Sequence, residues 1–313
     1  MRLVVTGSAG FVGCHLVPAL AHYGCDGVAV SRSAIETLPP GWSSLERSAV
    51  LEGRAVVQGA AWVVHLEVKQ QTSFSTREDL MEFQRVNVEG TQTWLEWCSR
   101  NDVRGFVYFS TIKAVRPIAG GPVTETSEGP PHSPYGDSKW APEQLVREWV
   151  RRDPRRAALI LRPAVIYGSG NRGNIMAMAN AIRRSRFFLI GHNRNIKSVI
   201  AIENVCAAVT HLLGRTKSGG CEVFNLADAE SFSVREMDSI LRQRCRKSGN
   251  SPSIPVGLAK LAAGTGDLIS MLSGRPFPFN NSRLTALLEE THFSCNKLRE
   301  SGFVHPVKSL SGL

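Results

Sequence analysis

The residues that most constrain this chain lie at its start: Thr6-Gly7-Ser8-Ala9-Gly10-Phe11-Val12-Gly13. They follow Leu3-Val4-Val5, a short continuous apolar run of the kind a buried parallel strand needs. They lead into Phe11 to Tyr23, whose apolar residues recur at helical spacing. A strand that turns through glycines directly into a helix is half of a βαβ unit, and such units commit a chain to a parallel sheet with helices on its faces. Gly7 permits the tight turn, Gly10 lets the backbone approach a pyrophosphate, and Gly13 lets the helix pack closely on the strand. The pyrophosphate then rests on the helix N-terminus, held by unpaired N–H groups and the helix dipole. Gly7, Ala9, Gly10, Phe11, Val12 and Gly13 are therefore expected to hold a dinucleotide.

Strand and helix patterns keep alternating beyond this turn. Gly27 to Val30 reads as a second strand and Trp62 to Leu66 as a buried one. Arg77 to Asn101 reads as one long helix, Gly105 to Ser110 as a strand, Ser133 to Arg152 as a helix and Ala157 to Leu161 as a strand. Between Ser31 and Gly59, Pro39-Pro40-Gly41 breaks the pattern and leaves only a weak strand near Trp42 to Arg47. The alternation predicts an α/β chain built on a doubly wound parallel Rossmann sheet. After Pro163 the pattern loosens. Gly168, Gly170 and Gly173 form a loop, and a helix follows from Ile175 to Arg184. Short strands lie at Phe187 to Ile190 and Val199 to Ala201, with a helix over Glu203 to Leu213. Val223 to Leu226 returns to the sheet, and the remainder is mainly helical, with breaks at Pro255, Pro276 and Pro278. The expected division is a dinucleotide-binding domain of residues 1–166 and 196–228, and a smaller, mainly helical C-terminal substrate lobe of residues 167–195 and 229–313. That lobe is expected over the carboxyl edge of the sheet, where open α/β sheets bind ligands.

Composition narrows the partners. Lys+Arg 37 against Asp+Glu 27 gives a formal net charge of +10, which favours an anionic partner. The cations are dispersed, with no basic stripe and no nucleic-acid motif, so a phosphorylated small molecule is expected and nucleic acid is not. No run is long and apolar enough to span a bilayer, and Gly7, Gly10 and Gly13 interrupt the stretch a signal peptide would need, so no membrane partner is expected. The seven cysteines are odd in number and none share a CxxC spacing. That argues against a metal site and a disulfide framework, and fits a reducing cytoplasm.

Two further segments carry chemistry. In Tyr135-Gly136-Asp137-Ser138-Lys139, helical spacing sets Lys139 beside Tyr135 on one face. An ammonium there is expected to stabilise a phenolate and lower the tyrosine pKa, which suits acid/base work near neutral pH. Phe109-Ser110-Thr111 ends a strand, where a hydroxyl can hydrogen-bond a reacting oxygen; Thr111 is preferred to Ser110. His65 ends a buried strand and reads as a structural histidine, and Trp94, Leu95 and Trp97 read as core or dimer contacts.

The glycine turn, Ser110-Thr111 and the Tyr135–Lys139 pair together resemble the extended short-chain dehydrogenase/reductase superfamily. Within it they resemble the NAD-dependent epimerase/dehydratase family, near nucleotide-sugar 4-epimerases and 4-ketoreductases. Val86-Asn87-Val88-Glu89-Gly90-Thr91 is similar to that family's mid-helix Asn segment, and Leu161-Arg162-Pro163 with Tyr167-Gly168 to its exit from the sixth strand. Ile202-Glu203-Asn204-Val205 is similar to its acidic segment before the next helix. Ser110-Thr111-Ile112-Lys113 followed by Tyr135 to Trp140 looks most like bacterial polysaccharide-pathway members. The resemblance spans nearly the whole chain.

It implies a role for each matching residue. Tyr135 is the general acid/base at a sugar hydroxyl, Lys139 binds the nicotinamide ribose and tunes Tyr135, Thr111 orients the substrate oxygen, and Asn87 supports the site. Leu66, Ser110 and Pro163 line the cofactor. Arg275 meets the substrate's diphosphate, with Lys113, Lys197 and Arg283 behind it. A homodimer through the two long helices is also implied.

Three departures stand out. The second strand ends Val30-Ser31-Arg32, without the acid that often holds the adenosine ribose; Arg32 favours NADP(H) over NAD(H). The Asp expected after the third strand has no clear counterpart. Glu67-Val68-Lys69 replaces the usual small residues after His65-Leu66 and sets charge near the cofactor channel. The sequence leaves open an epimerase or a reductase of a nucleoside-diphosphate sugar, a reductase of a non-sugar ketone, and a non-catalytic NADP(H)-binding regulator.

Overall fold

A computed structural model of the chain describes residues 1–70, 77–116, 121–127, 133–171, 173–216, 219–273, 277 and 279–310. The first half runs β1 (Arg2–Thr6), α1 (Phe11–His22), β2 (Asp26–Ser31), β3 (Trp42–Glu46), α2 (Arg47–Leu51) and β4 (Trp62–His65). It continues through α3 (Arg77–Glu82), a π-helical stretch (Phe83–Glu89), α4 (Gly90–Arg100), β5 (Gly105–Phe109), α5 (Pro134–Arg151) and β6 (Ala157–Pro163). The second half runs β7 (Val165–Tyr167), α6 (Asn174–Arg183), β8 (Leu189–Ile190), β9 (Ile196–Lys197), β10 (Val199–Ala201), α7 (Ile202–Arg215) and β11 (Gly220–Leu226). It closes with β12 (Phe232–Ser233), α8 (Val234–Arg244), β13 (Ser253–Ile254), α9 (Val256–Ser273), α10 (Asn281–Leu288) and α11 (Asn296–Glu300).

Seven of these strands make one sheet in the order β11-β6-β5-β4-β1-β2-β3, with every neighbour parallel. The chain builds outward from β1 to β3 on one side and from β4 to β11 on the other. The direction reverses between β1 and β4, and their carboxyl ends open the crevice where ligands of such sheets bind. This is the doubly wound Rossmann sheet expected from the alternation. The weak strand near Trp42 is β3, and the segment after Cys221 supplies the far edge as β11.

Alternate residues of each strand feed two core layers, because a strand's side chains point to opposite faces. Leu3, Val5, Val64, Val107 and Leu159 pack with Leu16 and Leu20 of α1 and Val209 and Leu212 of α7. Val4, Val63, Phe106, Tyr108 and Ile160 pack on the other face with Trp94, Trp97 and Trp149 of α4 and α5. Trp94, Leu95 and Trp97 are thus buried in the protomer's own core. Each large apolar side chain fully withdrawn from water contributes about 1.5–3 kcal/mol.

The expected single helix from Arg77 to Asn101 is helical throughout, but its middle widens into a π-helical stretch around Asn87. The extra residue per turn is a local irregularity that pattern reasoning at 3.6 residues cannot see, and it is frequent at functional sites. The chain near the C-terminus returns to the sheet: Phe293, Cys295, Leu298 and Phe303 join the first core layer. Tyr167 Oη donates to Asp228 Oδ2 at 2.7 Å and accepts from the Leu310 N–H at 2.5 Å, pinning the tail.

Candidate active site

The glycine turn closes the way its spacing demands. Gly7 has φ +64°, and a Cβ there would sit 2.9 Å from the Glu67 nitrogen and the Leu66 carbonyl carbon, where the chain leaving β4 crosses it. A Cβ on Gly13 would lie 2.5 Å from Ser8 Cα, so α1 packs on the loop only without a side chain there. Gly10 is the N-cap of α1, makes no side-chain cap, and the first turn holds no acidic residue. The leading N–H groups of α1 and the positive end of its dipole face the crevice. Such a cradle fits a pyrophosphate.

Strand β2 ends in Ser31, whose hydroxyl turns back to the Ser33 carbonyl, and Arg32 follows, exposed. The neighbouring β3 ends in Glu46, paired in register with Ser31 and also exposed.

At the carboxyl end of β5 the two hydroxyls separate. Ser110 Oγ donates to buried Glu143 Oε1 at 2.5 Å. Thr111 Oγ1 accepts from the Lys113 N–H at 3.3 Å as N-cap of the 3₁₀ turn Ile112–Ala114, and Thr111 is half-buried.

Helix α5 begins at Pro134, with Ser133 Oγ capping the Gly136 N–H, and so presents Tyr135 in its first turn. Tyr135 is half-buried, with the Phe83 ring edge-on at a centroid distance of 5.8 Å. Lys139, one turn on, is 2% exposed, and its ammonium lies 4.5 Å from the centroid of the Tyr108 ring. The expectation that Lys139 lowers the tyrosine pKa is not met. Burial pushes Tyr135 up to about 12 and Lys139 down to about 7, the latter against the opposing pull of Glu143. Desolvation outweighs charge here, because burial disfavours the charged form of each group and the Glu143 carboxylate offsets that only in part at Lys139.

Asn87 joins three segments. Its Nδ2 donates to Ser138 Oγ at 2.9 Å and to the Lys69 carbonyl at 3.2 Å, and its Oδ1 accepts from the Lys69 N–H at 2.8 Å. Ser138 Oγ in turn donates to the Tyr135 carbonyl at 2.8 Å. Asn87 thereby fixes the first turn of α5 against the loop leaving β4. The charges that this loop carries turn out to be paired. Glu67 accepts from Arg47 Nε at 3.0 Å and from Trp94 Nε1 at 3.2 Å, and Lys69 pairs with Asp79 and Glu82.

His65 has both ring nitrogens engaged. The Leu66 N–H donates to Thr6 Oγ1, which reaches Nδ1 at 2.8 Å. Thr91 Oγ1 donates to the Asn87 carbonyl, and so accepts from Nε2–H at 3.2 Å. Burial holds the ring neutral, with its pKa well below the ordinary value. It ties β1, β4 and α4 together as a structural group.

Sequence reasoning missed Glu143. It lies four residues beyond Lys139 on the same face of α5, and that spacing was the available signal. Arg162 on β6 binds it bidentately, Nη2 to Oε2 at 2.6 Å and Nε to Oε1 at 2.9 Å, with side chains 3% and 0% exposed. Pro163, the next residue, is buried at the crevice end of β6.

Of the cations expected at the substrate, Lys113 lies near enough to Lys197 for its charge to act on it. Burial first, and then Lys113, bring Lys197 down to about 8, against Glu289 and Glu290. Lys197 Nζ also donates to the Glu289 carbonyl. Arg283 is exposed in the first turn of α10, where Asn280 Oδ1 caps its N–H at 2.9 Å. Arg275 lies outside the described residues.

The matching of residues 3–227 to the model of the NAD dependent epimerase/dehydratase family decides the lineage. The chain belongs to that family. An N-acetyl-alpha-D-glucosaminyl-diphospho-ditrans,octacis-undecaprenol 4-epimerase of Escherichia coli O157:H7 is 29% identical over 232 residues, 73% of this chain and 69% of that one. A 4-hydroxy-2-methyl-3-oxo-4-farnesyl-3,4-dihydroquinoline-1-oxide ketoreductase of Stigmatella aurantiaca is 28% identical over 280 residues, 85% of this chain and 80% of that one. The solved structure of MoeE5 with UDP-glucose and NAD superposes with a TM-score of 0.75 at 22% identity, covering 100% of this chain and 96% of that one. As an epimerase/dehydratase-family enzyme, the chain carries the family fold across the full sheet.

Proposed function

We propose that this enzyme epimerises a sugar carried on a diphosphate at C4, with Tyr135 as acid/base. What supports this reading is that Thr111 follows the carboxyl end of β5, Tyr135 and Lys139 lie one turn apart at the start of α5, and the glycine turn follows the carboxyl end of β1 in the same parallel sheet. Gly7, Ala9, Gly10, Phe11, Val12 and Gly13 would hold NAD(P), which would supply a reversible hydride acceptor there. Leu66, Ser110 and Pro163 belong to the wall of its channel. Tyr135 exchanges the proton of the C4 oxygen, Thr111 donates to that oxygen and fixes it, and Asn87 holds the tyrosine's turn in place. Lys139, brought near neutral pKa by burial, is the neighbouring group whose charge responds to that proton. Lys113 and Lys197 offer positive charge for the diphosphate, and Arg275 and Arg283 are assigned to the same end. Ser31 and Arg32 at the end of β2 favour NADP(H), whereas the superposed MoeE5 holds NAD. We place the enzyme as a homodimer in the cytoplasm, where its seven free thiols stay reduced.

A second reading keeps the chemistry and changes the carrier to a polyprenyl diphosphate. The relative from Escherichia coli favours it, since its name specifies such a substrate.

The deciding experiment titrates the purified protein with NADH and NADPH and then adds UDP-sugars and lipid-linked sugars while following nicotinamide absorbance. Interconversion of 4-epimers without net cofactor change supports the proposal. Stoichiometric consumption of NADPH by a 4-keto sugar makes the enzyme a reductase instead. Absence of binding by either cofactor refutes both.

A further inference from the structure

The exposed side of helix α9 is mainly apolar. Its inner side is Ala259, Ala263 and Gly266, packed on Ile190 and Leu284, with Gly266 so close that a Cβ would strike the Phe279 carbonyl oxygen. Its outer side carries Leu258, Leu261, Leu268 and Met271, which are 59%, 69%, 54% and 80% exposed. At helical spacing Leu258, Leu261, Leu268 and Ile269 fall within about 100° of arc, opposite the buried alanines. Lys260 and Asp267, the helix's charged residues, lie at the margins of that stripe. A soluble helix pointing that side at water would be expected to carry charge there, and a contiguous exposed apolar face marks a docking surface.

The surroundings say what docks. Residues 167–195 and 229–313 hold sixteen Lys and Arg against seven Asp and Glu, so nearly all of the chain's net +10 sits in these segments. No Asp or Glu occurs from residue 154 to 202 or from 239 to 266. Strand β13 leads into α9 and pairs with β8, which follows Arg183, Arg184, Arg186 and exposed Phe188. Arg244 and Arg246, at the end of α8, are exposed as well, and α6 and α8 share the Ile182–Leu241 core. The arginine-rich ends of α6 and α8 thus adjoin the root of an apolar stripe.

We propose that this face docks the enzyme on an anionic lipid bilayer, with the α9 stripe lying in the interface and the arginines on the headgroups. Apolar side chains and a cationic rim are the two contributions that hold an amphipathic helix at such a surface, and neither alone suffices. Among the described residues no helix is long and apolar enough to cross a membrane, so the attachment is peripheral. It does not depend on the sugar chemistry proposed above.

Sedimentation of the full chain with vesicles tests it. The protein should pellet with phosphatidylglycerol/phosphatidylcholine vesicles and stay in solution with phosphatidylcholine alone, and high salt should release it. Leu261→Glu/Leu268→Glu should reduce the bound fraction by about tenfold or more. Arg244→Glu/Arg246→Glu should weaken it too, and it carries the test should the leucine variant fold poorly. Failure of the wild type to pellet, or pelleting of both variants as complete as that of the wild type, overturns the proposal. So does a larger assembly that Leu261→Glu/Leu268→Glu disperses, since the stripe would then be a contact between copies. Turnover of a soluble UDP-sugar, assayed without vesicles, reports on the epimerase reading separately.

Discussion

At the scale of single residues, burial governs the chemistry. Ser110 and Thr111 are neighbours with the same functional group, yet Ser110 donates to buried Glu143 while Thr111 accepts from the Lys113 N–H, and the proposed mechanism uses the Thr111 hydroxyl. Thr111→Val is expected to lower kcat by about 10–100-fold with the cofactor Kd unchanged. Ser110→Ala should instead lower stability by about 1–3 kcal/mol, since a buried carboxylate loses a donor. Steady-state kinetics and urea midpoints on both variants separate the two roles. Lys139 offers a pH test. Burial brings its pKa from the ordinary 10.5 to about 7 on folding, so between these values the unfolded chain binds the extra proton. Stability from this group therefore rises with pH across that window and is lower at and below pH 7. Urea midpoints of the wild type at pH 7 and 9 should show this rise, and Lys139→Met should flatten it.

At the scale of elements, α5 and β6 are joined by the buried Glu143–Arg162 pair, which also orients Ser110. Removing one partner of a buried, bidentate pair strands the other charge, whereas replacing both need not. Glu143→Gln is expected to destabilise the fold by about 3–5 kcal/mol. Glu143→Leu/Arg162→Met should be less damaging than either single change, as a double-mutant cycle on denaturant midpoints will read out. The π-helical stretch is the other element that matters. Asn87 in its middle bonds both the Lys69 backbone and Ser138, and so ties the loop after β4 to the first turn of α5.

At the scale of the molecule, two surfaces remain to be matched with partners. One is the outer side of α4 and α5, where Gln92, Glu96, Leu145 and Glu148 line a cleft. The proposed homodimer uses these helices, and sedimentation equilibrium should then return twice the mass of one chain. Glu148→Arg should shift the equilibrium toward the protomer only if this is the contact. The other surface is α9, whose exposed apolar stripe lies in the basic segments 167–195 and 229–313.

Much of this was legible in the sequence because it depends on local rules. A glycine turn between an apolar run and a helix needs only backbone sterics, so Gly7, Gly10 and Gly13 declared the parallel sheet and its crevice. Helical spacing alone set Tyr135 and Lys139 on one face of α5. What the sequence could not decide were quantities fixed by neighbours distant in the chain. The direction of the Tyr135 and Lys139 pKa shifts depends on how completely other elements exclude water from them. The fate of Glu67 and Lys69, which looked like charges loose in a channel, depends on Arg47, Asp79 and Glu82 arriving from α2 and α3. Glu143 found its partner on a strand nineteen residues away. Local backbone preference is written residue by residue, but desolvation and charge pairing exist only once the chain has folded back on itself.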